Sequence, residues 1–267
     1  MDVAGAQSDR RLAVVTGASS GIGLELAKVF ADNEFDLVIA AEDDLGPAAA
    51  ELRGRGSTVD AVRADLGTHE GVEALADRVR TSNPVDVLAI NAGVGVGGPF
   101  LDASLERHLA LIALNVTGAV HLAHRLLPAM VQRGEGRVLF TSSIAGTMPA
   151  PYESTYGASK AFVSSFGLAL RNELADTGVT VTVLMPGPTD TEFFERAGLE
   201  DTKVGQSSKD DPATVAAEGF EAMMAGKDHI VSGSLKNKLQ AGAAKVLPDK
   251  VSAAGHASMS EPGSGKA

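Results

Sequence analysis

The feature that most constrains this chain is a repeated alternation. Short runs rich in Val, Ile, Leu and Ala at 12–16, 37–41, 58–64, 85–91, 136–141 and 179–184 are separated by helix-length segments at 21–32, 47–55, 69–80, 105–132 and 155–176. The apolar runs lack the strict polar alternation of a half-exposed strand, as expected where both faces of a parallel sheet are covered. Alternation repeated this often predicts an α/β fold: a single Rossmann-type doubly wound parallel sheet with helices on both faces. At 267 residues the chain suits one such domain, expected to span 1–247 with no repeat or interdomain linker.

The pattern changes after Pro186. Residues 188–211 mix Gly, Pro, Thr and acids with Phe193 and Phe194, and read as an irregular substrate lid with short helical pieces. A helix is expected over 212–226, a last short strand over 229–232 and another helix over 234–247. The Gly/Ser/Ala-rich stretch 248–267 is expected to be a mobile end.

Composition removes several classes of function. With no cysteine there is no disulfide, thiolate nucleophile or Cys-ligated metal, and no metal site is expected. A net charge of −11 argues against nucleic acid as a general partner, although the last 42 residues carry six Lys against three Asp/Glu. No run of about 18 apolar residues predicts a membrane span, and residues 1–11 lack the apolar stretch of a secretion signal, so the expected location is the cytoplasm.

Two local patterns carry chemistry. The first predicted strand runs into Thr16-Gly17-Ala18-Ser19-Ser20-Gly21-Ile22-Gly23 and then a helix. Glycines in such a turn let the backbone approach a pyrophosphate whose charge meets a helix N-terminus; a plain strand-to-helix turn would look similar. The second is Tyr156 four residues before Lys160, on one face of a predicted helix. A free phenol has a pKa near 10, too high for a base at neutral pH, and a neighbouring ammonium draws it down. Taken alone, such a pair is more often structural.

Four motifs in order are similar to the short-chain dehydrogenase/reductase family: the glycine turn at 16–23, Asn91-Ala92-Gly93 after the fourth strand, Tyr156-x-x-x-Lys160, and Pro186-Gly187 after the sixth. The similarity covers about residues 11–187. It implies hydride transfer between a nicotinamide cofactor and an alcohol or ketone, with Tyr156 as general acid/base. Lys160 would lower the phenol pKa and hold the nicotinamide ribose. Ser143, thirteen residues before Tyr156, would bond the substrate oxygen, the spacing selecting it over Ser142. Asn115 would support a water-mediated relay through the lysine.

The resemblance also implies cofactor contacts at Gly17, Ser19, Ser20, Gly21, Ile22 and Gly23, at Asp65 and Leu66 for adenine, at Asn91, Ala92 and Gly93 beneath the cofactor, and at Pro186, Gly187 and Thr189 for the nicotinamide. At the end of the second strand stand Glu42, Asp43 and Asp44. Acids there accept bonds from an adenosine ribose and repel a 2′-phosphate. Three acids and no base favour NAD, with NADP possible; many NAD-using relatives place the acid one position earlier, where this chain has Ala41.

Met148, Pro149, Ala150, Pro151, Tyr152, Phe193 and Phe194 suggest a pocket for a hydrophobic alcohol or carbonyl compound, or a packed lid. A homodimer through the helices at 105–132 and 155–176 is the family expectation, and the extended C-terminal part argues against a tetramer. Two alternatives stay open: a non-catalytic NAD(P)-responsive regulatory protein on the same fold, and an epimerase or dehydratase using NAD transiently.

Overall fold

A computed structural model describes residues 10–244 and 247–266. Seven strands, β1 (Arg11–Thr16), β2 (Phe35–Ala41), β3 (Val59–Arg63), β4 (Val85–Ile90), β5 (Gly136–Thr141), β6 (Val179–Met185) and β7 (His229–Val231), form one sheet. Through β6 they are joined by α1 (Gly21–Asp32), α2 (Gly46–Gly54), α3 (His69–Arg80), α4 (Leu105–Ile112), α5 (Ala119–Arg133) and α6 (Ser154–Glu173). After β6 come the short α7 (Phe193–Ala197) and α8 (Lys203–Gln206), then α9 (Pro212–Met224), α10 (Leu235–Ala244) and α11 (Asp249–Ser260).

The strand order is β3-β2-β1-β4-β5-β6-β7 and every pairing is parallel. The chain winds outward from β1 to β3, then crosses back to place β4 on the other side of β1. This reversal opens a crevice above the carboxyl ends of β1 and β4, where ligands of such sheets bind.

Why the strands lack polar alternation is visible in the packing. Ala13, Val15, Leu37, Ile39, Val87 and Ala89 face one core with Leu26, Phe30, Leu52 and Met223. The intervening Val14, Val38, Leu88 and Ile90 face a second core with Leu75, Leu122, Leu126 and Met130. Successive side chains enter opposite dry layers, so both must be apolar.

The helix expected over 105–132 is interrupted. Residues Ala113–Gly118 form a π-helical turn between α4 and α5, and Asn115 lies within it. The combined rod Leu105–Arg133 is 29 residues long and apolar enough in composition to cross a bilayer, which the sequence count had not found. The stripe formed by Ala119, Leu122, Ala123, Leu126 and Met130 is packed on the sheet.

A larger correction concerns the C-terminus. Where the sequence predicts a mobile end from 248 onward, the structure holds α11 and seats it against α8 and the loop before α6. Gly265 N donates to the Asp201 carbonyl at 2.9 Å, Lys203 N to Ser264 Oγ at 3.0 Å, and Ser260 Oγ to Glu153 at 2.9 Å. The buried Ser260–Glu153 bond and the ties of the turn just beyond it hold this helix in place of an apolar stripe, so its composition reads as loop.

Candidate active site

The turn after β1 is shaped by its glycines. Gly17 has φ +67°, in the left-handed region that favours glycine. A side chain at Gly23 would run into the Gly17 carbonyl oxygen and the Asn91 side chain. Thr16 ties the turn to the next loop: its Oγ1 accepts from Asn91 N at 2.9 Å and Ala92 N at 3.0 Å, while Asn91 Nδ2 donates to Thr16 O at 3.1 Å. Asn91-Ala92-Gly93 therefore braces the floor of the turn. Ser20, at the N-cap of α1, is extended and its side chain takes none of the free N–H groups of the first turn. An uncapped helix N-terminus with no side chain filling the approach fits a dinucleotide pyrophosphate.

The other predicted contacts line the same cleft of about 690 Å³, among them Glu42, Asp43, Asp65, Leu66, Gly93, Pro186, Gly187 and Thr189. The Pro186 carbonyl accepts from Ile144 N at 3.0 Å, which fixes the loop after β6 against the loop after β5. Thr189 Oγ1 donates to Gly187 O at 3.0 Å.

The polar cluster predicted from sequence converges here. Asn115, turned by the π segment, binds the loop after β4 at both ends of its amide: Oδ1 accepts from Val94 N at 2.9 Å and Nδ2 donates to Val94 O at 2.9 Å. Nδ2 also reaches Ser159 Oγ on α6 at 3.0 Å. Lys160 Nζ donates to Thr141 O at 2.9 Å and lies 5.8 Å from the centre of the Tyr156 ring. A Cβ placed on Gly93 would be 3.1 Å from both Asn115 Oδ1 and Lys160 Nζ, so the two side chains meet over that glycine.

The adjacent serines separate by what they touch. Ser142 Oγ is spent within the core, donating to Lys160 O and sharing a bond with Ser164 Oγ, each at 2.7 Å. Ser143 Oγ accepts from Ala145 N at 3.1 Å and donates to Pro186 O at 3.5 Å. Ser143 and Tyr156 both line the cleft.

Known proteins resemble this chain in sequence and in fold. A family model described as short chain dehydrogenase matches residues 11–201. The chain belongs to the short-chain dehydrogenase/reductase family. Oxidoreductase UcpA of Salmonella typhimurium is 35% identical over 216 residues, 80% of each chain. A putative ketoacyl reductase of Streptomyces coelicolor is 37% identical over 191 residues, 70% of this chain and 73% of the relative. Among solved structures, a short-chain dehydrogenase from Sphingobium yanoikuyae in complex with NADPH superposes with a TM-score of 0.79 at 30% identity, covering 89% of this chain and 96% of the other. A family member from Burkholderia phymatum in complex with NAD gives 0.77 at 28% identity, with 84% and 89% covered. This short-chain dehydrogenase is thus an oxidoreductase of a nicotinamide-binding fold.

Electrostatics in this family member depart from one expectation. Burial lowers Lys160 to about 8. Burial likewise raises the Tyr156 phenol well above its ordinary value; the Ser143 hydroxyl opposes this and the Glu153 charge adds to it. The ammonium does not draw the phenol down here as the sequence predicts. Desolvation disfavours the charged form of each group and is the largest influence on both.

The adenosine end also differs from the sequence reading. Asp44 Oδ1 accepts from Gly46 N at 3.0 Å at the start of α2. Asp43 is bound by Arg196 Nη1 of α7 at 2.8 Å and by Ser19 Oγ at 3.4 Å, and the guanidinium holds its carboxyl below the usual carboxylate range. Arg63 Nε donates to the Glu42 carbonyl at 2.8 Å. Two arginines therefore stand beside acids that the sequence presents without a base. Arg196 escapes sequence reasoning because it lies 153 positions from Asp43.

Other residues missed from sequence come from the C-terminal part. Asn237 packs against Gly187, where any side chain would collide with it, and its Nδ2 donates to Asp210 Oδ2 at 2.5 Å. Val251, His256, Met259 and Ser260 of α11 wall the cleft beside Tyr156. The signal available for α11 was its length without proline. Among the described residues, one group of metal-capable donors stands apart from the site: His69, Glu73 and His121. Glu73 there already accepts from Arg125 Nε and Nη2 at 2.6 Å and from His121 at 2.7 Å.

Proposed function

We propose that this protein is an NAD(P)-dependent alcohol dehydrogenase or carbonyl reductase with Tyr156 as its general acid/base. The observation that carries the reading is the meeting of Ser143, Tyr156 and Lys160 in one cleft with the glycine cradle, with Asn115 buried behind them on Val94 and Ser159. The α1 N-terminus would hold the pyrophosphate of a nicotinamide cofactor and the loops carrying Gly93 and Thr189 its nicotinamide end, which would supply the acceptor or donor of hydride.

The chain's own residues handle the proton. Ser143 Oγ holds the substrate oxygen, and Tyr156 Oη takes its proton in oxidation or returns one in reduction. The raised phenol pKa keeps Tyr156 protonated in the resting site, the state needed for carbonyl reduction. Lys160 stands one helical turn away with an ammonium that releases its proton readily, and Asn115 fixes the loop over both. A regulatory protein without turnover would need none of these four groups in register.

On cofactor choice we favour NAD. Glu42 and Asp43 line the lip of the cleft, and their charge opposes a 2′-phosphate. The competing NADP reading draws support from Arg196 and Arg63, which would welcome that phosphate once Asp43 let go. For assembly we favour a homodimer. Leu105, Leu109 and Ile112 make an exposed row on α4, and Phe162 and Leu168 are exposed on α6.

The deciding experiment screens alcohols and ketones with NAD(H) and NADP(H) in parallel, following nicotinamide absorbance, with Tyr156→Phe beside the wild type. Turnover that falls at least about a hundredfold in the variant, with cofactor affinity kept within about threefold, is expected. Equal turnover in both proteins removes Tyr156 from the mechanism.

A further inference from the structure

Part of the cleft lining is apolar, with Met148, Phe193, Val251 and Met259. One carboxylate interrupts it. Glu153, three residues before Tyr156, is 6% exposed and lines the same cleft. Its Oε2 accepts from Ser260 Oγ at 2.9 Å and pairs with His256 Nε2 at 3.0 Å, both on α11. Ser260 and His256 also touch each other at 3.3 Å, so the three groups fix one another. Both bonds fall on Oε2, and no hydrogen bond from the described residues reaches Oε1. The neighbouring Tyr152 takes a left-handed backbone, φ +65°, and its hydroxyl bonds Glu261 Oε1 at 3.3 Å, a second tie between this loop and the C-terminal segment.

A buried carboxylate with one oxygen satisfied and the other without a partner leaves a strong acceptor position in an apolar wall. The other basic side chains of the cleft are committed elsewhere: Lys160 to Thr141 O, and Arg196 to Asp43 and Glu192. Nothing basic besides His256 therefore stands ready to offset a second carboxylate brought in by a substrate.

We propose that Glu153 is a specificity-determining residue whose Oε1 accepts a hydrogen bond from a hydroxyl remote from the reacting carbon, selecting neutral diols and hydroxyketones and rejecting substrates with a carboxylate there. The proposal rests on the oxidoreductase reading above. Its charge reaches the reacting group as well, because Glu153 is one of the influences that raise the Tyr156 phenol.

Three probes share a secondary alcohol and differ only at the remote end: octan-2-ol, octane-1,7-diol and 7-hydroxyoctanoate. Their affinities for the abortive enzyme–NADH complex are read by ligand-detected NMR, where no turnover is needed. In the wild type the diol is expected to bind about tenfold tighter than octan-2-ol, and the hydroxyacid at least about tenfold weaker. In Glu153→Gln one amide oxygen can still accept from His256 and Ser260, while an NH2 replaces the free oxygen. The diol advantage should then shrink at least threefold, and the hydroxyacid should approach octan-2-ol, in the order of magnitude expected for one charged hydrogen bond. Equal affinities for all three probes in the wild type overturn the proposal, as do ratios unchanged in the variant. An enzyme that binds with the expected ratios but oxidises neither alcohol overturns the oxidoreductase reading instead. Oxidation of both alcohols with equal affinities overturns this inference alone.

Discussion

Arg196 on α7 and Asp43 after β2 are joined at the cleft by a 2.8 Å ion pair. The same guanidinium reaches Glu192 one turn before it at 2.7 Å, so α7 is tied to the loop after β2 by one side chain. Both partners of the bridge are about half exposed, 51% and 48%, which limits what it contributes to folding to about 1 kcal/mol or less.

The expected effect of Arg196→Gln is therefore kinetic. Urea unfolding should change by less than about 1 kcal/mol, while NADH release, followed by stopped-flow fluorescence, speeds up several-fold. If release is unchanged, the lid is not held by this contact.

The two serines after β5 should respond in opposite ways. Ser143→Ala removes a donor to the reacting oxygen and is expected to lower kcat about a hundredfold or more with little change in Tm. Ser142→Ala removes a buried hydroxyl bonded to Lys160 O and Ser164 Oγ and should cost about 1–2 kcal/mol of stability. Kinetics and denaturant unfolding on the same two variants check both; a large kcat loss confined to Ser142→Ala would reverse the assignment.

Lys160 predicts a pH dependence of stability. Its folded value, about 8, lies below the ordinary 10.5. Between those values the unfolded chain binds the extra proton, so stability rises with pH across this window and the gain is absent below it. From pH 8 to about 9.5 the lysine alone should add about 1–2 kcal/mol. Lys160→Met removes that increment, and the wild-type-minus-variant difference in urea unfolding measures it; a flat difference would contradict the burial effect.

Glycines in the two helices bounding the cleft should behave differently. Gly23→Ala drives a Cβ into the Gly17 carbonyl oxygen and is expected to abolish NADH binding, read by fluorescence titration, and to lower Tm. Gly255→Ala on α11 meets nothing within 4 Å and should raise helix stability by about 0.5–1 kcal/mol.

Much of this was legible in the chain. Both faces of β1, β2 and β4 are buried, so their apolar runs announce a parallel sheet. Asn91, Ser143, Tyr156 and Lys160 sit at loop and helix positions fixed by that sheet, so spacing alone brings them to one cleft. What spacing does not carry is contact between distant segments. Arg196 and Asp43, or His256 and Glu153, become neighbours only when the lid and α11 fold over. The stretch Asp249–Ser260 has a weak apolar pattern because its anchors are polar and buried. The phenol's raised pKa was hidden for a related reason: spacing shows the lysine, while desolvation depends on everything packed around both groups.

The π turn at Ala113–Gly118 amounts to one residue more than an unbroken α-helix would hold over that stretch. Deleting a single residue there would let α4 and α5 heal into one continuous helix, turning everything upstream by about 100° relative to the sheet. Asn115 would swing off Val94, and the exposed row Leu105, Leu109 and Ile112 would point in a new direction. One codon thus sets the aim of the buried asparagine at Val94 and the outward bearing of that apolar row together, and neither can drift through insertions or deletions without carrying the other along.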